Sequence, residues 1–246
     1  MSGRVMRLDK FLADMGLGTR SEVKKLIKGG RVTVDDAIVK NEGFKVDETM
    51  DIRCGGTSVS YVRYAYYMLH KPAGVVSATE DRQDKTVLDL IDAKQRKDLF
   101  PVGRLDKDTE GLLLITNDGD LAHRLLSPKK HVSKVYYAKV SGCVTKEDVQ
   151  AFADGLVISK GFTAMPARLE ILAVHEQMAE IKVEIFEGKF HQVKRMFEAV
   201  GKPVLYLKRL SMGPLVLDEA LPQGAYRLLT EDELSALLSV TGKDKE

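Results

Sequence analysis

The feature that most constrains the fold is a short, wholly apolar segment at residues 112–116, with charged residues crowded in front of it. The segment reads LLLIT, preceded by GRLDKDTEG and followed by NDG, which is a strong turn signal. An apolar run of this length between turn residues indicates a strand buried in a sheet. The charged residues before it then lie at the mouth of a core strand, where functional sites commonly form.

The remaining pattern predicts an α+β fold. Capping-box sequences, TRSE at 19–22 and TEDE at 230–233, indicate the starts of two helices, and residues 191–200 have helical apolar spacing. Segments 64–69, 135–140, 167–172 and 181–186 indicate strands. Strands and helices do not alternate in regular βαβ units, so we expect a mixed, mostly antiparallel sheet flanked by helices.

The chain length of 246 residues fits a small domain followed by a larger one. Two short helices and a few short strands fit into residues 6–54, which predicts a small α/β domain. The sequence GGTS at 55–58 is rich in the residues of loops and predicts a linker over residues 55–63. Residues 64–240 then form the larger domain.

The charges are nearly balanced, with 38 Lys and Arg against 36 Asp and Glu, so a basic surface requires local clustering. Basic residues concentrate in stretches 20–31, 124–139 and 189–209, which indicates a surface for a polyanion such as RNA. A solvated helix face is the alternative for the first stretch. The phosphate-binding candidates in these stretches are Arg20, Lys24, Lys25, Lys28, Arg31, Lys129, Lys130, Lys134 and Arg195.

Several classes of protein are disfavoured by what the sequence lacks. Cys54 and Cys143 have no CxxC spacing, so no metal site is predicted, and no apolar run approaches the roughly 18 residues of a membrane span. The first residues lack the apolar core of a signal peptide. We therefore expect a soluble, cytoplasmic protein. A monomer is expected because no heptad repeat or exposed apolar strand is evident.

The charged cluster at Arg104, Asp106, Asp108 and Glu110 is a candidate site by chemistry alone. An aspartic protease is disfavoured, because Glu110 interrupts its signature and no second copy exists. A glycosidase acid/base pair at Asp106 and Asp108 is disfavoured, because carboxylates two residues apart face one substrate only in extended structure. A polar loop that merely leads into a core strand remains open at this point.

Four sequence blocks resemble the pseudouridine synthases, in the branch typified by the ribosomal small-subunit pseudouridine synthase A. GRLDKDTEGLLLITNDG resembles the catalytic motif of that family. YYMLHKPAGVVSAT at 66–79, SPKKHVSKVYYAKV at 127–140 and EGKFHQVKRMFEAVG at 187–201 resemble three further blocks in the same order. Residues 6–53 separately resemble the RNA-binding domain of the ribosomal-protein S-four type.

The resemblance implies an enzyme that isomerises a uridine of ribosomal RNA to pseudouridine. It assigns Asp106 as the essential aspartate, Tyr136 as the active-site tyrosine and Lys194 as the basic residue of the last motif, with Arg104 as a scaffold or RNA contact. Because a neighbouring cation opposes the effect of burial on an aspartate, we predict that Lys194 pairs with Asp106. Isomerisation adds nothing and changes no oxidation state, so no cofactor or metal is expected. The resemblance favours 16S rRNA as substrate. The alternatives are a sister enzyme for 23S rRNA and a non-catalytic RNA-binding factor of ribosome assembly.

Overall fold

The structure is a computed structural model that describes residues 5–60, 64–92, 98–127, 130–159 and 161–242. The described residues fall into two compact units, one drawn from residues 5–60, 64–65, 92 and 98–99, the other from residues 66–91, 100–127, 130–159 and 161–242. Within the described residues, no helix combines the length and the apolar character that crossing a bilayer requires.

The first unit is a small α/β domain, as the sequence predicts. The order in its four-stranded antiparallel sheet is β3-β2-β5-β6, and β1 pairs separately with β4. The apolar stripes of α1 and α2 are buried, with Phe11, Leu12, Val23 and Ile27 in its core. Its elements are β1 (Met6–Arg7), α1 (Leu8–Asp14), α2 (Arg20–Lys28), β2 (Val32–Val34), β3 (Ala37–Ile38), β4 (Lys45–Val46), β5 (Ile52–Cys54) and β6 (Thr57–Ser58).

The linker predicted from residue 55 is wrong over residues 55–58, which form the turn and the second strand of a β-hairpin with β5. Gly55 and Gly56 connect β5 to β6 with φ of 59° and 85°, a left-handed conformation that glycine adopts without steric cost. The chain continues in contact with this sheet, because the Val59 amide donates to the Ile52 carbonyl at 2.7 Å. Glycine-rich sequence is typical of both tight turns and linkers, and composition does not distinguish them. Residues 61–63 of the expected linker lie outside the described residues.

The second unit is larger and richer in strands. Its strands are β7 (Tyr66–Lys71), β8 (Phe100–Pro101), β9 (Glu110–Thr116), β10 (Lys134–Ser141), β11 (Val157–Ser159), β12 (Phe162–Thr163), β13 (Arg168–Val174), β14 (Met178–Ile185), β15 (Val204–Met212), β16 (Leu215–Val216) and β17 (Tyr226–Leu228). Its helices are α3 (Gly119–Leu126), α4 (Lys146–Asp154), α5 (Gln192–Ala199) and α6 (Glu231–Thr241).

One sheet organises the second unit. Its strand order is β13-β14-β10-β15-β9-β7-β17, with β16 beside β15 and β8 beside β9. All of these strand pairs are antiparallel except β15 with β9, which run parallel. The expected α+β fold with a mixed, mostly antiparallel sheet is therefore confirmed.

Strand β9 is the core strand that its apolar sequence predicts. Leu112 and Leu114 belong to a buried cluster with residues of α3 and α6, while Leu113 and Ile115 are equally inaccessible and alternate with them along the strand. Because both faces of the strand are covered, its sequence does not alternate between polar and apolar residues. The loop at residues 102–109, which joins β8 to β9, carries the charged cluster.

Candidate active site

The loop that carries Asp106 is fixed from below by a buried lysine. Lys71, at the end of β7, has no exposed surface, and its Nζ atom lies 2.8–3.2 Å from the backbone carbonyl oxygens of Pro72, Asp106, Lys107 and Thr109. Burial lowers the pKa of Lys71 to about 8, while nearby carboxylates oppose that shift. The ammonium group therefore closes the loop around a set of oxygen acceptors.

The segment after β7 adds a second set of bonds to the same loop. The Gly74 amide donates to the Lys107 carbonyl at 2.7 Å. The Ser77 hydroxyl donates to the Leu105 carbonyl at 2.8 Å and accepts from the Leu105 amide at 3.0 Å. The sequence block at 66–79 thus supports the loop around Asp106 through backbone contacts.

Asp106 lies between two basic side chains at the start of α5. Its side chain is 24% exposed; Oδ2 is 3.3 Å from Lys194 Nζ and Oδ1 is 3.5 Å from His191 Nε2. The expected ion pair between Asp106 and Lys194 is therefore present. Sequence reasoning did not single out His191, although it lies in the block at 187–201.

Lys194 is held more tightly by Asp108 than by Asp106. Its Nζ atom donates to both carboxylate oxygens of Asp108, at 2.6 and 2.8 Å. The hydrogen bond from Lys194 lowers the pKa of Asp108. Burial alone would lower the pKa of Lys194, but its contacts with the two carboxylates raise it above its ordinary value. Lys194 is thus a cation at neutral pH, shared between two acids.

The floor of the site is formed by neighbouring strands of the sheet. Tyr136 on β10 lies opposite Arg209 on β15, and alternate residues on these strands bring Lys134 and Leu207 to the same inner side. Lys134 is only 7% exposed and donates to the Val132 carbonyl at 2.8 Å. Burial lowers the pKa of Lys134 to about 8. Strand alternation turns Lys134 inward, so it lies in the lining of the recess and of the cleft and not on an exposed surface. Its role as an RNA contact stays a prediction.

Asp106 opens onto a cleft between the loop at 102–109 and the segment before α5. An inner recess of about 90 Å³ contains Tyr136 and Arg209 in its lining, together with Asp106 and Lys194. A wider cleft of about 710 Å³ shares Asp106 and lies in the size range of small-molecule and cofactor sites. Its lining residues are Val76, Ser77, Pro101, Gly103, Arg104, Leu105, Asp106, Lys107, Leu126, Lys134, Gly188, Lys189, Phe190 and His191.

Other predicted RNA contacts of the second unit differ in their surroundings. Arg104 is exposed and lines the cleft. Lys130 is exposed, whereas Arg195 is partly buried and donates to the Ile158 carbonyl at 3.2 Å. Lys129 lies outside the described residues.

The predicted basic face of the first unit lies on and just beyond α2. Arg20, Lys25, Lys28 and Arg31 are exposed, and Lys24 is partly exposed. Glu42 accepts ion pairs from Lys24 at 3.2 Å and Lys28 at 3.1 Å, a partner that sequence reasoning missed.

The arrangement suits chemistry by a single carboxylate beside a cation. Asp106 is near enough to solvent to meet a substrate, and the ammonium group of Lys194 lies 3.3 Å from its carboxylate. Such a group can act as a nucleophile or as a general base. Among the residues that the structure describes, no group of three or more His, Cys, Asp or Glu side chains is placed to hold a metal ion.

Known protein families match both parts of the chain. The RNA pseudouridylate synthase family matches residues 65–199, and the S4 domain family matches residues 6–52. The protein named uncharacterized RNA pseudouridine synthase YtzG of Bacillus subtilis (strain 168) is 49% identical over 94% of this chain and 98% of its own length.

Two further relatives are similar over nearly their whole length. The ribosomal small subunit pseudouridine synthase A of Vibrio cholerae serotype O1 (strain ATCC 39315 / El Tor Inaba N16961) is 42% identical over 94% of this chain and 99% of its own. A crystal structure of a pseudouridylate synthase, 36% identical, superposes with a TM-score of 0.67 over 94% of this chain and 99% of that one. The chain therefore belongs to the pseudouridine synthases, in the branch of the ribosomal small subunit pseudouridine synthases A, and carries an N-terminal S4 domain.

Proposed function

We propose that this pseudouridine synthase isomerises a uridine of ribosomal RNA, in the 16S rRNA of the small subunit, with Asp106 as the essential residue. One observation supports the role of Asp106: its carboxylate opens onto the cleft and lies 3.3 Å from the ammonium group of Lys194. The RNA class is supported by relatives named ribosomal small subunit pseudouridine synthase A, among them one of Escherichia coli (strain K12), 39% identical over its full length.

The reaction breaks the N1–C1′ bond of uridine, turns the base and joins C5 to C1′. The proton that leaves C5 is balanced by one gained at N1, so the product is an isomer and no electrons are exchanged with a second reactant. Asp106 takes part in this reaction as an ionised carboxylate. It either attacks the nucleotide or removes a sugar proton, and both routes need the same charge.

The remaining side chains of the site position the nucleotide. The target base must leave its stack to reach Asp106, which costs a few kcal/mol. Tyr136 lies in the lining of the inner recess, where its ring can stack on the extruded base. Arg104 is exposed at the cleft and is the proposed phosphate contact there. Lys194 stabilises the negative charge of Asp106 throughout the reaction.

In this proposal the S4 domain binds the backbone of the RNA. The candidate contacts are the cations of α2 and its flanks, which present positive charge along one short helix. Such contacts bind the phosphate backbone without reading its sequence, so they raise affinity but leave the choice of uridine to the second unit. These contacts are Arg20, Lys24, Lys25, Lys28 and Arg31.

The role of Asp106 is tested by Asp106→Asn, with Asp108→Asn as its matched control. The asparagine keeps the shape of the side chain and removes the charge, so product formation on an rRNA transcript is expected to fall by at least about 100-fold. RNA affinity is expected to persist. Asp108→Asn removes a neighbouring carboxylate that holds Lys194 but is not proposed to react, so it is expected to lower the rate far less than Asp106→Asn. Pseudouridine formation by Asp106→Asn at the wild-type rate would refute the assignment.

The substrate is tested by mapping pseudouridines in rRNA from cells that lack this protein. Loss of one 16S site, restored by the wild-type chain but not by Asp106→Asn, is the expected result. Loss of a 23S site instead identifies a sister enzyme of the large subunit. An unchanged pseudouridine map together with a ribosome-assembly defect identifies a non-catalytic factor.

A further inference from the structure

Phe190, at the wall of the wider cleft, exposes an aromatic ring that does not contribute to the core of the fold. Phe190 is 76% exposed, the highest fraction among the exposed large apolar side chains of the described residues. A solvent-exposed phenylalanine stabilises no core, and it adds apolar surface at the wall of the wider cleft. Its position is therefore informative about what enters the cleft.

The ring of Phe190 stacks on that of its neighbour. Its centroid lies 3.8 Å from that of His191, with an angle of 16° between the rings. His191 has φ of 51°, a left-handed conformation that is uncommon for residues other than glycine and often marks functional sites. The same imidazole lies 3.5 Å from Asp106 through Nε2. One continuous set of contacts thus joins the exposed ring to the carboxylate.

The charges around the ring suit a nucleic acid. The described lining of the wider cleft contains one acid, Asp106, against several basic side chains. Leu126, 45% exposed, contributes another apolar surface to the same lining. A partner that offers both negative charge and flat apolar rings fits this combination, and RNA has phosphates and bases in alternation. The basic side chains are Arg104, Lys107, Lys134 and Lys189, of which Lys107 pairs with Asp84 at 2.6 Å and Lys134 is buried.

We propose that the stacked pair Phe190–His191 is a platform for the base that neighbours the target uridine, a proposal that rests on the function given above. When the uridine is extruded, its neighbour loses a stacking partner. The exposed face of Phe190 replaces that partner within reach of the cleft. Phe190 has no hydrogen-bonding groups, so this contact accepts any base and stabilises the open RNA without choosing its sequence.

The proposal is tested with Phe190→Ala, Phe190→Trp and Phe190→Leu, each as the full-length chain. Leu205→Ala is the control, because Leu205 is also exposed, at 62%, but does not line the cleft. The substrate is an RNA fragment around the uridine identified by mapping, with 2-aminopurine beside that uridine. Binding is measured in an Asp106→Asn background, and kcat and KM are measured with Asp106 intact.

Phe190→Ala is expected to raise Kd and KM by about 5- to 100-fold, the range that stacking one base on an aromatic ring supplies. Its kcat at saturating RNA is expected to stay within a few-fold of wild type. Phe190→Trp restores affinity and Phe190→Leu does not, since a planar ring is required and not merely an apolar group. The 2-aminopurine emission is expected to stay low on binding to the wild type and to rise on binding to Phe190→Ala, where the base has no stacking partner.

Two results would overturn the platform. One is Phe190→Ala with the Kd and 2-aminopurine signal of Leu205→Ala, which shows that no base contacts the ring. The other is a defect confined to particles that carry ribosomal proteins, which shows that the ring meets a protein. Neither result touches the proposed function, which is tested separately by the pseudouridine map and by the activity of Asp106→Asn.

Discussion

Lys194 lies between two carboxylates that differ in both distance and exposure. The Asp108 side chain is 73% exposed with an oxygen 2.6 Å away, whereas that of Asp106 is 24% exposed at 3.3 Å. Coulomb attraction is screened less where water is excluded, so the longer contact with Asp106 is still effective. We infer that Asp108 fixes the position of the ammonium group, and that Lys194 in turn stabilises the charge of Asp106.

Replacing Lys194 by Met removes this charge and keeps most of the side-chain volume. The single-turnover rate of pseudouridine formation is expected to fall by about 100-fold, because the carboxylate loses the cation placed beside it. RNA affinity is expected to stay near wild type. Lys139→Met is the control, since Lys139 is 43% exposed and lies outside the cleft lining. A Lys194→Met rate equal to that of the control would refute the pairing role.

The effect of burial on the pKa of Lys71 can be tested by measuring stability at several pH values. Its pKa of about 8 lies below the ordinary value of 10.5, so between these values the unfolded chain binds more protons than the folded one. The free energy of unfolding therefore gains a contribution that rises with pH in this window, by at most about 1.4 kcal/mol per pH unit for one proton. Below about pH 8 the lysine is protonated in both states and this contribution is flat.

Lys71→Met is expected to lower the free energy of unfolding by about 3 kcal/mol at pH 7, because it leaves buried carbonyls without a donor. The gap between wild type and variant is expected to widen from pH 8 to pH 10. Denaturant titrations at several pH values measure both effects. A constant gap across that range would contradict the lowered pKa.

At the scale of elements, the loop around Asp106 depends on the close approach of β9 and β15. Gly111 pairs with Arg209 in the parallel part of the sheet, and its φ is 106°. A Cβ atom at this position would lie 2.2 Å from the Arg209 carbonyl oxygen. Only glycine fits here, because the obstacle is backbone and cannot move aside as a side chain would.

Gly111→Ala is accordingly expected to lower the free energy of unfolding by about 3 kcal/mol or more, from steric overlap and backbone strain together. Gly119→Ala is the matched control. Gly119 begins α3 with open space around its Cβ position, so alanine there is expected to be neutral or slightly stabilising. Equal thermal unfolding curves for the two variants would show that the sheet accepts the extra carbon.

The elements also show which parts of the fold local sequence can predict. Both capping boxes form: Thr19 and Thr230 accept from the amides of Glu22 and Glu233, whose carboxylates accept in return. These signals involve residues three apart, so composition and spacing suffice. Strand β15, by contrast, runs from Val204 to Met212. Its second half is rich in polar residues, and its conformation comes from pairing with β10 and β9, which are distant in sequence.

At the scale of the whole molecule, the candidate site gathers residues from the length of the second unit. The resemblance identified Asp106, Tyr136 and Lys194, which lie in the blocks with specific sequence patterns, and all three line the inner recess. It did not anticipate that Lys134 would be buried or that Asp108 would be the nearer partner of Lys194. Those outcomes depend on strand register and on the conformation of a loop, neither of which a spacing rule determines.

The molecule carries a net charge of only +2, so its RNA affinity depends on where cations lie. On α2, Glu42 already neutralises part of the helix by pairing with Lys24 and Lys28, and hydrogen bonds from these lysines lower the pKa of Glu42. Phosphates therefore compete with Glu42 for two of the five expected contacts. This competition predicts opposite effects for removing the lysines and removing the acid.

The double change Lys24→Ala with Lys25→Ala is expected to weaken RNA binding and to reduce the slope of log K against log salt by about 1.4 to 1.8, the release expected for two phosphate contacts. Glu42→Gln is expected to strengthen binding and steepen the slope, because it frees Lys24 and Lys28. Lys10→Ala serves as control, since Lys10 is engaged by Asp14 at 2.6 Å within α1. Binding isotherms at several salt concentrations measure all three. If the double variant kept the wild-type slope, the phosphate contacts would have to lie elsewhere, and the basic face of α2 would be only a solvated surface.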